Sequence, residues 1–466
     1  MVFTQTYEPG TIKPYSRWQV ILIAIPAMLA PILSIISAKL SPVSLAFTLI
    51  AVSIFAYSRG GLKFPGRSAV KVSIGFLAFA AFAGLSALWS PVPGKSLIAA
   101  ISFAAIFAVA LECVSLLASE QKQPTLHMAE GVWIGFLLAS IYYAADVLTG
   151  QSIKIMVFNA LGLSPGHLLP KWAFWKDGKV VGIPLSDATR NAFALPLLLW
   201  SALMATSGVS NLNLKKCING LLILVVCIGV FLSPNDTAKL ALVIGTIAFI
   251  LASYSRTWSL RVVVAAWFAA TLLAIPIAFA LSGSNLEDAK WLPVNGASRI
   301  KIWTSTANET LKSPIVGVGA NSTAEITKRI AELKKSSPEA AAAFKGFSTS
   351  PHAHNIYLQT WFELGVLGAG FLSLCGYGLL SRIGALSERA YAYGLATFAS
   401  GAMLSASSYG LWQLWFLSMF AWTICVFEIG RRVLEDDYAK KQQPLRLIEQ
   451  PPRPSRPEKI LPSKPV

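Results

Sequence analysis

Residues 350–370 read SPHAHNIYLQTWFELGVLGAG, a polar, histidine-bearing loop that passes without a break into a hydrophobic run. From Ile356 onward the run is long and apolar enough to cross hydrocarbon as a helix. His352 and His354 are half of the chain's four histidines. A ring that titrates near neutral pH at the mouth of a membrane helix suits a general base. The other reading is an interfacial ring anchoring a helix end.

The composition repeats this pattern along the chain. Of 466 residues, 55% are hydrophobic and 13% charged, with mean hydropathy +0.59; soluble domains carry about 25% charged residues. Apolar runs recur at about 20 residues, the length of a helical crossing. Lipid leaves helices or closed barrels as the only spanning structures, and alternating ten-residue strands are absent. The fold class predicted is an all-α polytopic membrane protein of about twelve transmembrane helices. The spans fall at about 18–37, 43–57, 72–89, 96–118, 131–148, 191–204, 219–233, 238–254, 262–281, 355–380, 391–407 and 411–430.

Basic residues set the orientation. Lys13 and Arg17 precede the first span, Arg59, Lys63, Arg67 and Lys71 follow the second, and Arg431 and Arg432 follow the last. The positive-inside rule therefore places both termini in the cytoplasm. Residues 1–281 hold spans one to nine and an exterior loop at 151–190; residues 282–354 form a large helical exterior loop; residues 355–430 hold spans ten to twelve; residues 431–466 read as a basic, disordered tail. The run from Trp18 lacks a small-residue cleavage site and reads as a retained span.

The net charge of +17 is scattered between spans with no nucleic-acid-binding module, so membrane lipids and anionic lipid substrates, not nucleic acid, account for it. Five cysteines lie in or beside spans without disulfide or zinc spacing. Glu287-Asp288 lacks a further ligand nearby, and Gly317-Val318-Gly319 is too short for a nucleotide fingerprint and reads as a turn. No metal or cofactor is expected.

The loop at 151–190 mixes Lys154, Lys171, Lys176 and Lys179 with Trp172, Phe174 and Trp175, as an interfacial belt or as platforms for sugar rings. Ser186 or Asp187 can cap the following helix, which puts Arg190 at an exterior helix mouth. Glu112 and Asp146, in or at the end of spans, are functional or satisfied by a neighbouring helix. In the large loop, Ser298 can cap a helix through Trp303 to Leu311. Ser322 and Glu325 have capping-box spacing before an apolar stripe of Ile326, Ile330 and Leu333.

The spacing His354, Asn355, nine residues, Gly365, two residues, Gly368 resembles the signature of bacterial O-antigen ligases. Arg299-Ile300-Lys301-Ile302-Trp303 and Ser313-Pro314-Ile315-Val316-Gly317-Val318-Gly319 extend the likeness to the region shared by O-antigen ligases and polymerases, over roughly residues 298–370. The resemblance implies about twelve spans with both ends cytoplasmic, and a pyrophosphate contact at Arg190. Lys239, in the turn Ser233–Lys239, stands where many relatives carry an arginine.

An arginine fork binds phosphate oxygens in pairs and keeps its charge, so Arg190 and Arg299 are assigned to the leaving pyrophosphate, with Lys239 and Asn355 beside them. His354 is the base expected for an acceptor hydroxyl, with His352 as a neighbour; Glu363 orients or packs, and Gly365 and Gly368 complete the pattern. The expected activity is metal-independent, inverting transfer of polysaccharide from undecaprenyl pyrophosphate to a lipid A core sugar on the periplasmic face of the inner membrane. A polysaccharide polymerase is the alternative. A flippase would place its cations at midplane depth, whereas Arg190, Arg299 and His354 are expected at exterior ends.

Overall fold

The computed structural model describes residues 17–57, 67–118, 122–162, 173–407 and 409–448. Lys13, Arg59, Lys63, Lys171, Trp172 and the tail beyond Ile448 lie outside the described residues. Helices carry almost all of the remainder.

Helix α1 (Arg17–Ile36) contains Pro26 and Pro31 and is followed by a 3-10 turn (Ala38–Leu40) and α2 (Ser41–Tyr57). Helices α3 (Arg67–Leu85) and α4 (Pro93–Ala118) pair with each other, and α5 (Lys122–Leu148) returns along α1. The α1–α5 contact is backbone on backbone. A Cβ on Gly131 or Gly135 would lie 2.4 or 2.1 Å from the carbonyl oxygen of Ala24 or Met28, the close approach that small residues allow between helices in lipid.

After α5 come a short helix, α6 (Ser152–Ala160), and a two-stranded hairpin of β1 (Phe174–Lys176) and β2 (Lys179–Gly182). Helix α7 (Leu185–Asn191) then leads into α8 (Ala194–Ala205), every residue of which is buried. A helix apolar on all sides belongs inside a bundle. Against α8 pack α9 (Leu212–Leu232) and α10 (Asp236–Tyr254), and α10 in turn contacts α11 (Arg256–Leu272), which is bent by 78° at its junction with α12 (Ala274–Gly283).

The large loop folds into α13 (Val294–Thr310), α14 (Thr323–Ser336) and α15 (Pro338–Ala343), before α16 (Ile356–Ile383), α17 (Glu388–Ala406) and α18 (Leu414–Ile448) close the bundle. Its two expected helices are present, but their starts differ from expectation. Ser298 lies inside α13, and its Oγ donates to the Asn295 carbonyl at 3.0 Å. The capping box is not formed. Ser322 Oγ donates to the Gly319 carbonyl at 2.6 Å, while Glu325 pairs with Lys95 at 3.2 Å and Arg329 at 3.4 Å. Cations from the first turn of α4 and from α14 itself capture the carboxylate that the box required. In the stripe, Ile330 is buried and Leu333 is exposed.

The last helix continues through 431–448, where the sequence reads as disordered. Arg431 Nη2 and Arg432 Nε lie 2.7 and 2.8 Å from Glu428, and Arg431 also pairs with Glu435, ion pairs at helical spacing that favour continuation.

Among the described residues, seven helices are long and apolar enough to cross a membrane, and an eighth if the bent α11–α12 pair is one span. Shorter apolar helices cover Val20–Ile36, Ala38–Ser53 and Ile74–Leu88. The chain is thus an all-α, multi-span membrane protein with one small hairpin.

Candidate active site

The structure breaks α16 at Gly365, whose backbone takes φ 64° and ψ −164°. The freed peptide groups do not stay empty. Segment 314–319 lies in the break: Val318 and Gly319 N–H donate to the carbonyls of Phe362 and Glu363 at 3.1 and 2.8 Å, and Val366 N–H donates to Pro314 at 2.8 Å. Backbone groups buried in a bundle need such partners. Gly317-Val318-Gly319 is therefore a turn, with Gly317 N–H donating to the Ser313 carbonyl at 3.1 Å and Gly317 and Gly319 at φ 66° and 102°, docked into the break.

Glu363, fully buried, sits beside this turn. Its carboxylate accepts from Asn321 N–H (2.8 Å), Gln359 Nε2 (3.1 Å), the Thr323 hydroxyl and Trp412 Nε1. Gln359 Oε1 in turn accepts from Leu411 N–H at 3.0 Å. The network joins the large loop, α16 and the connection between α17 and α18.

That connection, 407–413, is where the sequence-predicted residues meet. Arg299, on α13, donates from Nη1 to Ser407 Oγ at 3.0 Å and to Thr237 Oγ1 at 3.1 Å. Arg190, at the end of α7, lies over the rings of Tyr409 and Trp415, 5.9 and 6.0 Å from their centroids, with Asp187 at 3.9 Å. Such faces attract a guanidinium. Burial pushes the Tyr409 hydroxyl up to about 12, with Arg190 and Arg299 both opposing that rise. Tyr409 therefore shares its field with both arginines. Gly410 backs onto His352, where a Cβ would meet the ring at 2.8 Å.

The two histidine rings pack at 4.1 Å between centroids, 62° apart in plane. His352 is the more enclosed. Its Nδ1 is buried without a hydrogen-bond partner among the described residues, and it lines a small cavity with Ser305, Thr306, Glu309, Ser348 and Ser350. Burial first, then repulsion from His354, depresses its pKa to about 4. His352 is thus neutral at neutral pH. His354 holds a left-handed backbone, φ 53°, immediately before the helix, a conformation that costs a non-glycine residue about 1–2 kcal/mol.

The other predicted residues have local duties. Asn355 caps α16, its Oδ1 accepting from Tyr357 and Leu358 N–H at 2.9 and 3.1 Å. Lys239 is 2.9 Å from Asp236 on its own helix. Gly368 packs against Leu364, which a Cβ would meet at 2.2 Å.

Around this centre the connections are laced into one layer. Asn235 Nδ2 donates to the Thr189 carbonyl at 2.6 Å, Thr237 Oγ1 to the Ser407 carbonyl at 2.7 Å, and Ser96 Oγ to the Ala320 carbonyl at 2.7 Å. Beneath Ile356 and Leu411 an apolar cavity of ≈ 580 Å³ runs through the bundle past Phe107, Trp267 and Phe420 to Arg382 and Arg431.

Residues 221–373 match the family model described as O-antigen ligase. Over this segment the chain is similar to the O-antigen ligase family. The segment carries Lys239, Arg299, both histidines, Asn355, Glu363, Gly365 and Gly368, while Arg190 and Tyr409 lie outside it. Three relatives, each named "Putative polysaccharide ligase", agree. The protein of Rickettsia conorii is 25% identical over 243 residues, covering 52% of this chain and 57% of the relative. That of Rickettsia bellii is 29% identical over 219 residues, 45% and 51% of the two chains. That of Rickettsia prowazekii is 26% identical over 249 residues, 52% and 58%. The chain spans about half the length of the curated relatives it matches.

The matched segment covers the histidines and Arg299 that the motif spacing singles out. Tyr409, Trp412 and Gln359 escaped notice: the last span was read from Leu411, so the connection before it passed as an ordinary turn. Its content of Tyr409, Gly410 and Trp412 was the available signal, since aromatic rings gather at membrane interfaces.

Proposed function

We propose that the chain is an O-antigen ligase, transferring polysaccharide from undecaprenyl pyrophosphate to a lipid A core sugar hydroxyl. The observation carrying this reading is the convergence of Arg190, Arg299 and the histidine pair on the 407–412 connection. The acceptor hydroxyl gives its proton to His354 and attacks the anomeric carbon. The new C–O bond forms as the bond to pyrophosphate breaks, with inversion. Arg190 and Arg299 hold the departing charge, a task that suits planar, permanently charged forks. A neutral His352 keeps a second cation off the base.

The apolar cavity below the site supports a lipid-linked substrate. The remaining apolar helices α1–α3, together with α17, would bring the crossings to twelve, with both termini cytoplasmic and the site on the periplasmic face of the inner membrane. Cations gathered at one end of the bundle favour an enzyme over a transporter, whose substrate site would sit at midplane.

The test is purified protein with lipid-linked donor, offered lipid A core or a second lipid-linked glycan in parallel. Glycosylated lipid A core supports the ligase. Extension of the lipid-linked glycan alone would make the chain a polymerase.

A further inference from the structure

Helix α12 does not continue the crossing that α11 begins. Its third residue is Pro276, which has no N–H for the Leu272 carbonyl and whose ring collides with that carbonyl in a straight helix. The chain turns by 78° between Leu272 and Ala274. The bend is held from the side. The Thr271 carbonyl accepts from Trp361 Nε1 at 2.7 Å, and the Thr271 hydroxyl accepts from Ser373 Oγ at 2.7 Å. Backbone groups freed inside a membrane bundle need such donors.

Lengths decide how α12 lies. Helix α11 starts at the turn between α16 and α17, where Arg256 donates to the carbonyls of Gly384 and Leu386 at 2.7 and 2.6 Å. Its 17 residues rise about 26 Å, most of the roughly 30 Å of hydrocarbon. Arg261, on its exposed side, lies 5.5 Å from the ring centroid of Trp258, and so long a stem can carry its charge back to the headgroups. Helix α12 has ten residues, about 15 Å, and at this angle it advances only about 3 Å along the axis of α11. It lies across the crossing direction.

Helix α12 carries no charged residue. Ala274, Ile275 and Ala278 are buried on the side packed against α13 and α16, and the exposed side is Leu273, Pro276, Ile277 and Ala280, a stripe at helical spacing. A wholly apolar face continuous with a crossing helix belongs in lipid. Beyond it stand Lys290 and the exposed Trp291 and Val294, a basic and aromatic pairing suited to the headgroup boundary. Val294 opens α13, the helix that carries Arg299.

We propose that α12 is an in-plane helix, its exposed stripe covered by the acyl chains of the leaflet on the site's side and Trp291 and Val294 at that leaflet's headgroups. The partner is bilayer lipid. Because α12 packs on α13, this contact sets the height of α13 and holds Arg299 near the depth of a lipid's phosphate.

The experiment places photoreactive benzoylphenylalanine in place of Leu273, Ile277, Ala280 or Trp291 of the full chain, one at a time, with exposed Ala342 on α15 as the control. Each protein is irradiated in phospholipid nanodiscs, and the adducts are read by fragmentation mass spectrometry. Phospholipid should be captured from the first four positions and not from the control. The labels replacing Leu273 and Ala280 should reach the same stretch of acyl chain, because a flat helix holds them at one depth. An upright helix would separate them by about 10 Å, seven residues of rise, and adducts that far apart along the chain would overturn the in-plane placement. Capture of polypeptide by the label replacing Ile277, from the same chain or a second copy, would show that protein covers the stripe. Capture of nothing there would leave it in water, and equal capture of lipid by the control would remove the contrast; each of these outcomes overturns the proposal.

Discussion

A side chain on Gly365 would lie 2.2 Å from the carbonyl oxygen of Ile315. The position is closed twice over, since φ 64° with ψ −164° is a region that glycine alone occupies readily. The Gly365 backbone therefore makes the junction between α16 and the 314–319 segment. Through that junction Glu363 and the 407–412 connection keep their places.

Gly365→Ala should lower stability by about 3 kcal/mol or more, combining the backbone cost with displacement of the 314–319 segment. Gly370→Ala is the control: it has ordinary φ and nothing within 4 Å, so it should be neutral or slightly stabilising. Thermal unfolding in detergent compares the two, and a Gly365→Ala protein as stable as the control would show that the break adapts.

Which parts of this arrangement were legible in the sequence follows from how far apart its pieces lie. Hydropathy located the helices because a crossing helix is a local pattern. His354 and Arg299 were singled out by motif spacing, which is also a local pattern. The break at Gly365 was not, since its backbone partners come from Pro314 to Gly319 and no local pattern reports that pairing. The Ser322–Glu325 box failed for a related reason: Lys95, from the first turn of the distant helix α4, takes the carboxylate. Tyr409 lies within an apolar, aromatic run, and its place under Arg190 is set only by tertiary packing.

Burial of His352 makes stability depend on pH, with a definite sign. Its folded pKa, about 4, lies below the ordinary 6.5, so between those values the unfolded chain binds more protons than the folded one. The contribution is whole above about pH 6.5 and is lost as pH falls towards 4. His352→Phe should flatten the dependence of unfolding temperature on pH across that window. An unchanged slope in the variant would show that other groups govern it.

Arg299 is held by two hydroxyls through one nitrogen, which leaves the rest of the fork for a ligand. Arg299→Lys keeps the charge but cannot hold Thr237 and Ser407 and also present a paired edge. The apparent KM for lipid-linked donor should rise about tenfold, with a smaller change in kcat. Steady-state transfer at varied donor concentration reads the split, and a parental KM would reduce Arg299 to a structural cation.

In the proposed mechanism His354 takes the acceptor's proton, and the choice of replacement matters because of its backbone. Alanine at φ 53° would add strain unrelated to catalysis, whereas asparagine tolerates the left-handed region and lacks a basic ring. His354→Asn should therefore fold and insert as the parent does and bind donor normally, since the phosphates are assigned to cations elsewhere. Transfer should fall by about 10²- to 10⁴-fold, the usual share of a general base. His352→Asn should cost less, because a ring with its pKa near 4 is a weak proton acceptor at neutral pH. Single-turnover transfer with saturating donor isolates this step from binding. Near-parental turnover in His354→Asn would remove the ring from the mechanism, and a greater loss in His352→Asn would move the base to the buried partner.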